Sequence, residues 1–547
     1  MSSPRPPVNK WLVTLSVTFG TLMGTIDASI VNVALPHIRG AVGATLEEIT
    51  WITTGFVVAN VIVMPLTGFL SRMFGQKRVY LTSLVVFLIG SVLCGTAHSL
   101  TTLTAFRVLQ GLGAGALQPT EQAILRRTFP PHEQGMAMAV FGMAVVLGPA
   151  AGPTLGGFIV DHYSWPWIFF INLPVGALGF LMVTTFVHED EEIRRANHAQ
   201  AEREKKNVDW LGIALLALGL ALIQYALEEG QRNDWFESRV ISSCFALGSI
   251  ALVAFVIREL TAATPAVDLR LFKERTFLSA TLIGGVQFAI LMANIFLLPI
   301  FMQEMLGYTA MDTGLALLPR AAIMFVVNPI VGKLYGKISV RWLVGTGVVL
   351  VSLGSFIMSA FTLQTSLGQI VVATLIQGIG FSCLFIPLAA AALTYIPKHR
   401  LADAAGLNSL FRQLGGSIGL AVFATLLTRA GTIARNGLIA HVTDVRGVVA
   451  GRLAQITAGL GARGLDHASA QSGAYKALAG LVFGQSMTIA FERTFFLAGV
   501  VFLVVLPLLY FLRITRRGGS SEQARHGGSP AEAPAAHAEP SALVHLE

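Results

Sequence analysis

Charged residues are scarce in this sequence. Lys, Arg, Asp and Glu make up 12% of the 547 residues, against 54% hydrophobic residues, about half the charged share of a soluble globular chain. So few charges cannot clothe a water-facing surface, which excludes a soluble enzyme or nucleic-acid-binding domain as the main body. Cysteine is also rare. Cys94, Cys244 and Cys383 each fall inside an apolar run, which argues against a disulfide framework or a thiolate metal set and leaves them as packing residues. "HEQGM" at His132 lacks the second histidine of a zinc-protease helix, and neither a phosphate loop nor a Ser-His-Asp set is apparent. No cofactor and no metal are expected; a membrane-embedded lipid-modifying enzyme is kept only as the alternative from a different class.

What fills the chain instead is long apolar runs, with a mean hydropathy of +0.67. Each run is close to the roughly 20 helical residues that cross a hydrocarbon core about 30 Å thick. The reading is an all-α polytopic membrane protein of fourteen transmembrane helices, starting near Trp11, Ile49, Val79, Thr101, Met136, Trp167, Asp209, Val240, Phe277, Asp312, Trp342, Leu367, Ala404 and Thr494. The first run outlasts a signal-peptide core and reads as a retained helix. Most Lys and Arg outside the runs fall at the termini or after even-numbered helices. The short loops after odd-numbered helices hold only Arg39, Arg232 and Arg239. Both termini are therefore expected in the cytoplasm, with the chain in the cytoplasmic (inner) membrane. Residues 474–491 are read as an interfacial helix, because a further crossing would export Arg513, Arg516 and Arg517. The net charge of +8 fits this orientation and anionic lipid headgroups, with no need for nucleic acid.

Two distant stretches repeat. "QGLGAGALQP" from Gln110 resembles "QGIGFSCLFIP" from Gln377, and Pro65 and Gly68 are spaced from Lys77 as Pro329 and Gly332 are from Arg341. Gly152 and Gly156 likewise correspond to Gly415 and Gly419, at a spacing that lets helices approach closely. The organisation is an N-terminal six-helix bundle with its charged linker (1–207), a two-helix insertion (208–262), a C-terminal six-helix bundle (263–516) containing a long extracytoplasmic loop (430–493), and a Gly/Pro/Ala-rich disordered tail (517–547). Duplicated halves around a midplane site are an arrangement of secondary transporters.

Within the runs, ionisable groups are the candidates for function. Asp27 and Arg107 come to the same depth, about 24 Å and about 21 Å from the inner face. Asp27 reads as a proton-coupling acid whose occupancy its surroundings could switch, and Arg107 as its partner; a fixed structural ion pair is the alternative for both. Gln110, one turn along, and Asn32, five residues after Asp27, are possible members of a polar cluster or plain interhelical hydrogen-bonders. Glu121 either meets substrate or a proton, or pairs at the interface with Arg126 and Arg127. Arg320 and Arg412 read as structural, and Glu304 as solvated at the outer rim. "GMAVVLGPAAGPTLGG", with Gly148, Pro149, Gly152, Pro153, Gly156 and Gly157, reads as a hinge or a tight seal between the halves, or as close packing.

On these residues the chain resembles the major facilitator superfamily, specifically its fourteen-helix drug:proton antiporters of the EmrB/QacA type. "IDASIVNVALP" is similar to the first-helix motif whose acid, here Asp27, takes part in proton coupling, and "FRVLQGLGAG" to the fourth-helix motif with its functional arginine, here Arg107. "GPAAGPTLGG" resembles the fifth-helix signature of exporters, and "WPWIFFINLPVG" the opening of the next helix. The loop motif runs from Gly68 through Arg72 to Gly75, with Lys77 following, but Arg72 and Met73 stand where the family has Asp and Arg. That departure resembles the permease subunits of tripartite efflux systems, which implies a periplasmic adaptor and an outer-membrane channel as partners. The resemblance implies proton-coupled export of hydrophobic or amphipathic drug-like molecules. A narrow-spectrum metabolite exporter or a proton-coupled importer is the alternative, import being disfavoured by the glycine-proline fifth helix.

Overall fold

The computed structural model describes residues 9–45, 47–188, 208–262, 264–442 and 446–512. The charged linker up to residue 207 and the tail 517–547 lie outside them. The described chain is helical, with one isolated bridge between Tyr335 and Ile338.

The first half comprises α1 (Lys10–Val42), α2 (Trp51–Phe74), α3 (Gln76–Gly95), α4 (Leu100–Ala114), α5 (Leu117–Thr128), α6 (Gln134–His162), the short α7 (Trp167–Phe170) and α8 (Asn172–Phe186). An inserted pair follows, α9 (Trp210–Glu229) and α10 (Arg239–Thr261). The second half comprises α11 (Arg275–Ile300), α12 (Ala310–Leu334), α13 (Val340–Ser359), α14 (Leu367–Ala392), α15 (Leu401–Ile439), α16 (Gly447–Gly461) and α17 (His467–Leu503).

Thirteen of the helical stretches are long and apolar enough to cross a membrane. The fourth expected crossing is divided into α4 and α5 by a turn at 115–116. Pro119 has no N–H to give the carbonyl of Gly115, so the ladder cannot run through that point. Gly113 and Gly115 hold the broken segment tightly: a Cβ on Gly113 would lie 2.4 Å from the Phe87 backbone nitrogen, and one on Gly115 2.6 Å from the Asn60 carbonyl oxygen.

The repeat seen in the sequence is a repeat of contacts. Gly152 leaves room for Ser29 of α1, and Gly415 and Gly419 leave room for Gly285 and Ala289 of α11, so α1 crosses α6 as α11 crosses α15. Gln110 overlies Gly90 as Gln377 overlies Gly354. Lys77 donates to the carbonyl of Thr184 at 2.8 Å, near the end of the first half's last helix. Arg341 does the same for the second half, donating to the carbonyls of Leu512 and Tyr510 at 2.6 and 2.7 Å.

The sequence reading fails for the last helix. α17 begins at His467, not near Thr494, and residues 474–491 are its middle turns and no separate interfacial helix. At 37 residues it is about 55 Å long, and the 39 residues of α15 make about 58 Å, both well beyond a 30 Å core. The extra turns project from the far ends of these crossings, with α16 packed against α17. The segment 430–493 is thus largely a helical hairpin, and no additional crossing is needed to account for its apolar stretch.

The inserted pair stands along one seam between the halves. Gly219 and Gly248 let α9 and α10 approach each other closely. From α9, Gln224 donates to Ser417 of α15 at 2.7 Å, and Tyr225 stacks on Trp51 of α2 at 5.2 Å between ring centroids.

Candidate functional site

Asp27 has no exposed surface, and three side-chain donors hold it. Its Oδ2 accepts from Arg107 Nη1 at 2.6 Å, while Oδ1 accepts from Gln110 Nε2 and Asn172 Nδ2, both at 2.9 Å. Arg107 Nη1 also donates to Gln110 Oε1 at 2.7 Å, and Nε to the Ile52 carbonyl at 3.3 Å. The Arg107 guanidinium lies 4.1 Å from the Phe56 ring centroid and 5.7 Å from that of Phe169. Asn172 is oriented by Ser91, whose hydroxyl is 3.0 Å from Asn172 Nδ2 and donates to the Phe169 carbonyl at 2.8 Å. Five helices, α1, α2, α3, α4 and α8, thus converge on one carboxylate inside the first half.

Asp27, Arg107 and Gln110 therefore come together as their spacing suggests, but Asn32 does not join them. Asn32 is exposed, and its amide bonds back to the Ala28 carbonyl at 3.3 Å. Asn172 and Ser91 escaped the sequence reading. Asn172 lies within "INLP", the opening of the sixth crossing, where an asparagine amid apolar residues was the available signal.

Glu121 forms a second buried carboxylate site. Its side chain accepts from Thr18 at 2.9 Å and from Thr21, both on α1. Those threonines precede Asp27 by about two turns, so Glu121 sits about 11 Å from the Asp27 level. The expected pairing with Arg126 and Arg127 is absent, because both arginines reach across to the other half. Arg126 donates to the carbonyls of Leu393 and Thr394 at 3.3 and 3.1 Å, and Arg127 to that of Lys398 at 2.9 Å.

The sequence profile described as Major Facilitator Superfamily matches residues 17–420. The chain belongs to the major facilitator superfamily. It is 33% identical over 504 residues to the multidrug export protein EmrB of Escherichia coli strain K12, spanning 92% of this chain and 95% of that protein. It is also 30% identical over 501 residues to the fatty acid resistance protein FarB of Neisseria gonorrhoeae, spanning 92% and 96%. The proton:xylose symporter XylE superposes with a TM-score of 0.61 at 15% identity, over 93% of this chain and 96% of that one, a likeness of fold alone. Facilitator fold, kinship and the many apolar helices make the chain a multi-pass membrane transporter of the EmrB branch.

In this facilitator the two halves are closed at one end and open at the other. At the end holding the start of α1, residues 401–410 of α15 and 120–125 of α5 are wholly buried. The Pro-x-x-Gly glycines explain the closure: Gly68 of α2 seats against Asp403 of α15, and Gly332 of α12 against the backbone of Gly135 on α6. Arg72 forms an ion pair with Asp403, and its Nη2 also lies 3.4 Å from the Pro265 and Ala266 carbonyls. This pair places the cation on α2 and the acid in the first turn of α15, where a helix N-terminus favours it. Gly75, at φ +86°, turns the chain from α2 into α3. At the same end, the Lys10 ammonium hydrogen-bonded to Glu133 holds that half-buried carboxyl below the usual carboxylate range. At the opposite end Ala28 and Asn32 of α1 and Pro153 and Thr154 of α6 are exposed, marking the open mouth.

The glycine-proline helix differs from the expectation of a seal between halves. α6 runs unbroken through Pro149 and Pro153. Gly148, Gly152 and Gly156 meet Thr25, Ser29 and Ile30 of α1, within the same half, and Gly157 has open space. The contact of α6 with the other half is made nearer its start, by Gly135 and by Gly142 against Phe385.

Proposed function

We propose that this chain exports hydrophobic or amphipathic drug-like molecules across the cytoplasmic membrane in exchange for protons, by alternating access of the two halves. The observation that carries this reading is the Asp27–Arg107–Gln110–Asn172 cluster, a carboxylate sealed from water and built in one half only. Extending the register of the matched glycines and glutamines puts Ile283 and Thr374 of the second half where Asp27 and Arg107 stand in the first. A duplicated scaffold that keeps its ion pair on one side has one half for ion coupling and the other free for cargo. The name of the multidrug export relative supports drug-like substrates.

In this mechanism, proton arrival at Asp27 removes its charge and releases Arg107, Gln110 and Asn172, whose donors then seek new acceptors. That rearrangement reaches α1, α2, α4 and α8 together and so biases the rocking equilibrium. Substrate bound from the other side biases it the opposite way, and coupling requires only that each ligand prefer one state. Exchange of one proton for a monovalent cation moves no net charge and draws on the pH gradient alone, about tenfold accumulation per pH unit. A neutral or anionic substrate also draws on the membrane potential, about 2.3 kcal/mol per 100 mV for each net charge moved.

Both termini lie on the cytoplasmic side in this reading, the open mouth faces outward, and the projecting α15–α17 hairpin is the docking platform for a periplasmic adaptor and, through it, an outer-membrane channel. Dye efflux in inverted vesicles tests the core of the proposal. Asp27→Asn is expected to insert normally and abolish proton-driven uptake of dye, and full activity in that variant overturns the assignment.

A further inference from the structure

The second half holds two buried arginines that no carboxylate among the described residues neutralises. Arg412 of α15 is buried, and among the described residues its Nε has no hydrogen-bond partner and its only hydrogen bond is from Nη2 to Ser409 Oγ at 3.3 Å. Its guanidinium lies instead among three rings: Phe141 at 5.7 Å, Phe288 at 5.4 Å and Phe385 at 5.3 Å. Arg320 of α12 is buried over Phe381 at 5.1 Å. Phe381 and Phe385 are one turn apart on α14, on the same face, so the two cations flank one aromatic column. The sequences of α11, α13 and α14 contain no Asp or Glu at all, and the buried acid of α15, Asp403, is taken by Arg72.

This differs from the treatment of the other inner arginines. Arg107 has Asp27, Arg72 has Asp403, and Arg126 has two carbonyls. Aromatic faces attract a cation but accept no hydrogen bonds in the plane of the guanidinium, so the fork of donors on Arg412 is left unfilled. An intramembrane charge kept in this way marks a ligand path. The position fits as well: Phe141 belongs to the first half and Phe288, Phe385 and Arg412 to the second, so rocking of the halves opens and closes the cage. Gly284, beside the Arg412 stem, leaves space for the long side chain to lie along α11.

We infer that Arg412, ringed by Phe141, Phe288 and Phe385 and backed by Arg320, is the anion-receiving subsite of the transport pathway, taking the carboxylate of an amphipathic substrate while the rings take its apolar body. The inference rests on the transport reading above and adds the charge of the cargo, which kinship leaves open because the two relatives are named for different substrates. A planar guanidinium with a free edge suits a carboxylate, which it can engage through two parallel hydrogen bonds.

The test is equilibrium binding to the purified full-length protein of two probes, 11-(dansylamino)undecanoate and the cation tetraphenylphosphonium. Arg412→Gln is expected to weaken the carboxylate probe at least tenfold and leave the cation unchanged or tighter, while Arg412→Lys, which keeps the charge, retains more of the carboxylate binding. Unchanged carboxylate binding in Arg412→Gln overturns the subsite. Equal loss of both probes in Arg412→Gln and Arg412→Lys also overturns it, as the mark of a structural arginine, and so does wild-type protein that binds the cation but not the carboxylate. The same dansyl probe in proteoliposomes separates this from the transport reading: Arg412-dependent binding without gradient-driven movement leaves the subsite standing and removes export, whereas export unaffected by Arg412→Gln does the reverse.

Discussion

A carboxylate held by three donors is expensive to disturb one contact at a time. Removing the cation leaves Asp27 as a buried uncompensated charge, a loss of about 3–5 kcal/mol for such pairs. Arg107→Ala is therefore expected to lower the thermal midpoint of the detergent-purified protein sharply, and Asp27→Asn combined with Arg107→Gln to recover most of it, as read by a melting curve. Asn172→Ala removes a hydrogen bond to the Asp27 carboxylate, about 1.5–3 kcal/mol for a charged acceptor, along with the contact to Ser91. It should reduce efflux while leaving insertion intact, and efflux at the wild-type rate would show that this contact has no part in coupling. Glu133 should behave differently. Its carboxyl titrates lower in the folded protein than in the unfolded chain, so the Lys10 tie is fully present above the ordinary carboxylate range near 4.3 and weakens only as the pH falls below it. Glu133→Gln is accordingly expected to leave the shape of the efflux–pH profile between pH 6 and 8 unchanged. Asp27 and Arg107 were legible because a charge inside an apolar run stands out. Asn172 and Ser91 were not, because a neutral polar residue in a helix looks the same whether it serves a carboxylate or its own backbone.

Helices here are positioned by what is missing from their surfaces. Ser29 of α1 fits where Gly152 of α6 has no Cβ; one placed there would lie 2.5 Å from the Ser29 Cβ. Gly152→Val should push α1 and α6 apart, at about 1–3 kcal/mol for overpacking, and shift the Asp27 carboxylate that α1 carries. The expected outcome is a lower melting temperature and lost efflux, against near-normal behaviour of Gly157→Ala, whose added methyl has open space. Small-residue spacing revealed that these helices pack closely, but it did not reveal against which neighbour. That depends on which helix the bundle brings alongside, and α6 proved to seal against α1, with its contact to the other half displaced toward Gly135 and Gly142. The last helix was misjudged for a related reason: hydropathy reports how many residues suit lipid, whereas α15 and α17 also bury apolar faces on each other beyond the core.

The molecule as a whole is held with one end shut, and a small number of contacts decides which end. Arg72 and Asp403 join α2 of one half to α15 of the other beside the Gly68 seat. Arg72→Gln or Asp403→Asn should raise the population open at that end, measured as faster thiol labelling of a cysteine placed at Ser409 after Cys94, Cys244 and Cys383 are replaced. Unchanged labelling would assign the closure to the glycine contacts alone. Composition was enough for the membrane, since so few charges leave no other solvent for the surface; the periodic runs and duplicated motifs were enough for two related bundles and an inserted pair. The pairing of Arg72 with Asp403, 331 residues apart, the isolation of Glu121 from its neighbouring arginines, and the aromatic cage around Arg412 were written nowhere along the chain. Each depends on side chains from different helices meeting at one level, and one-dimensional order carries no measure of that distance until the helices have packed.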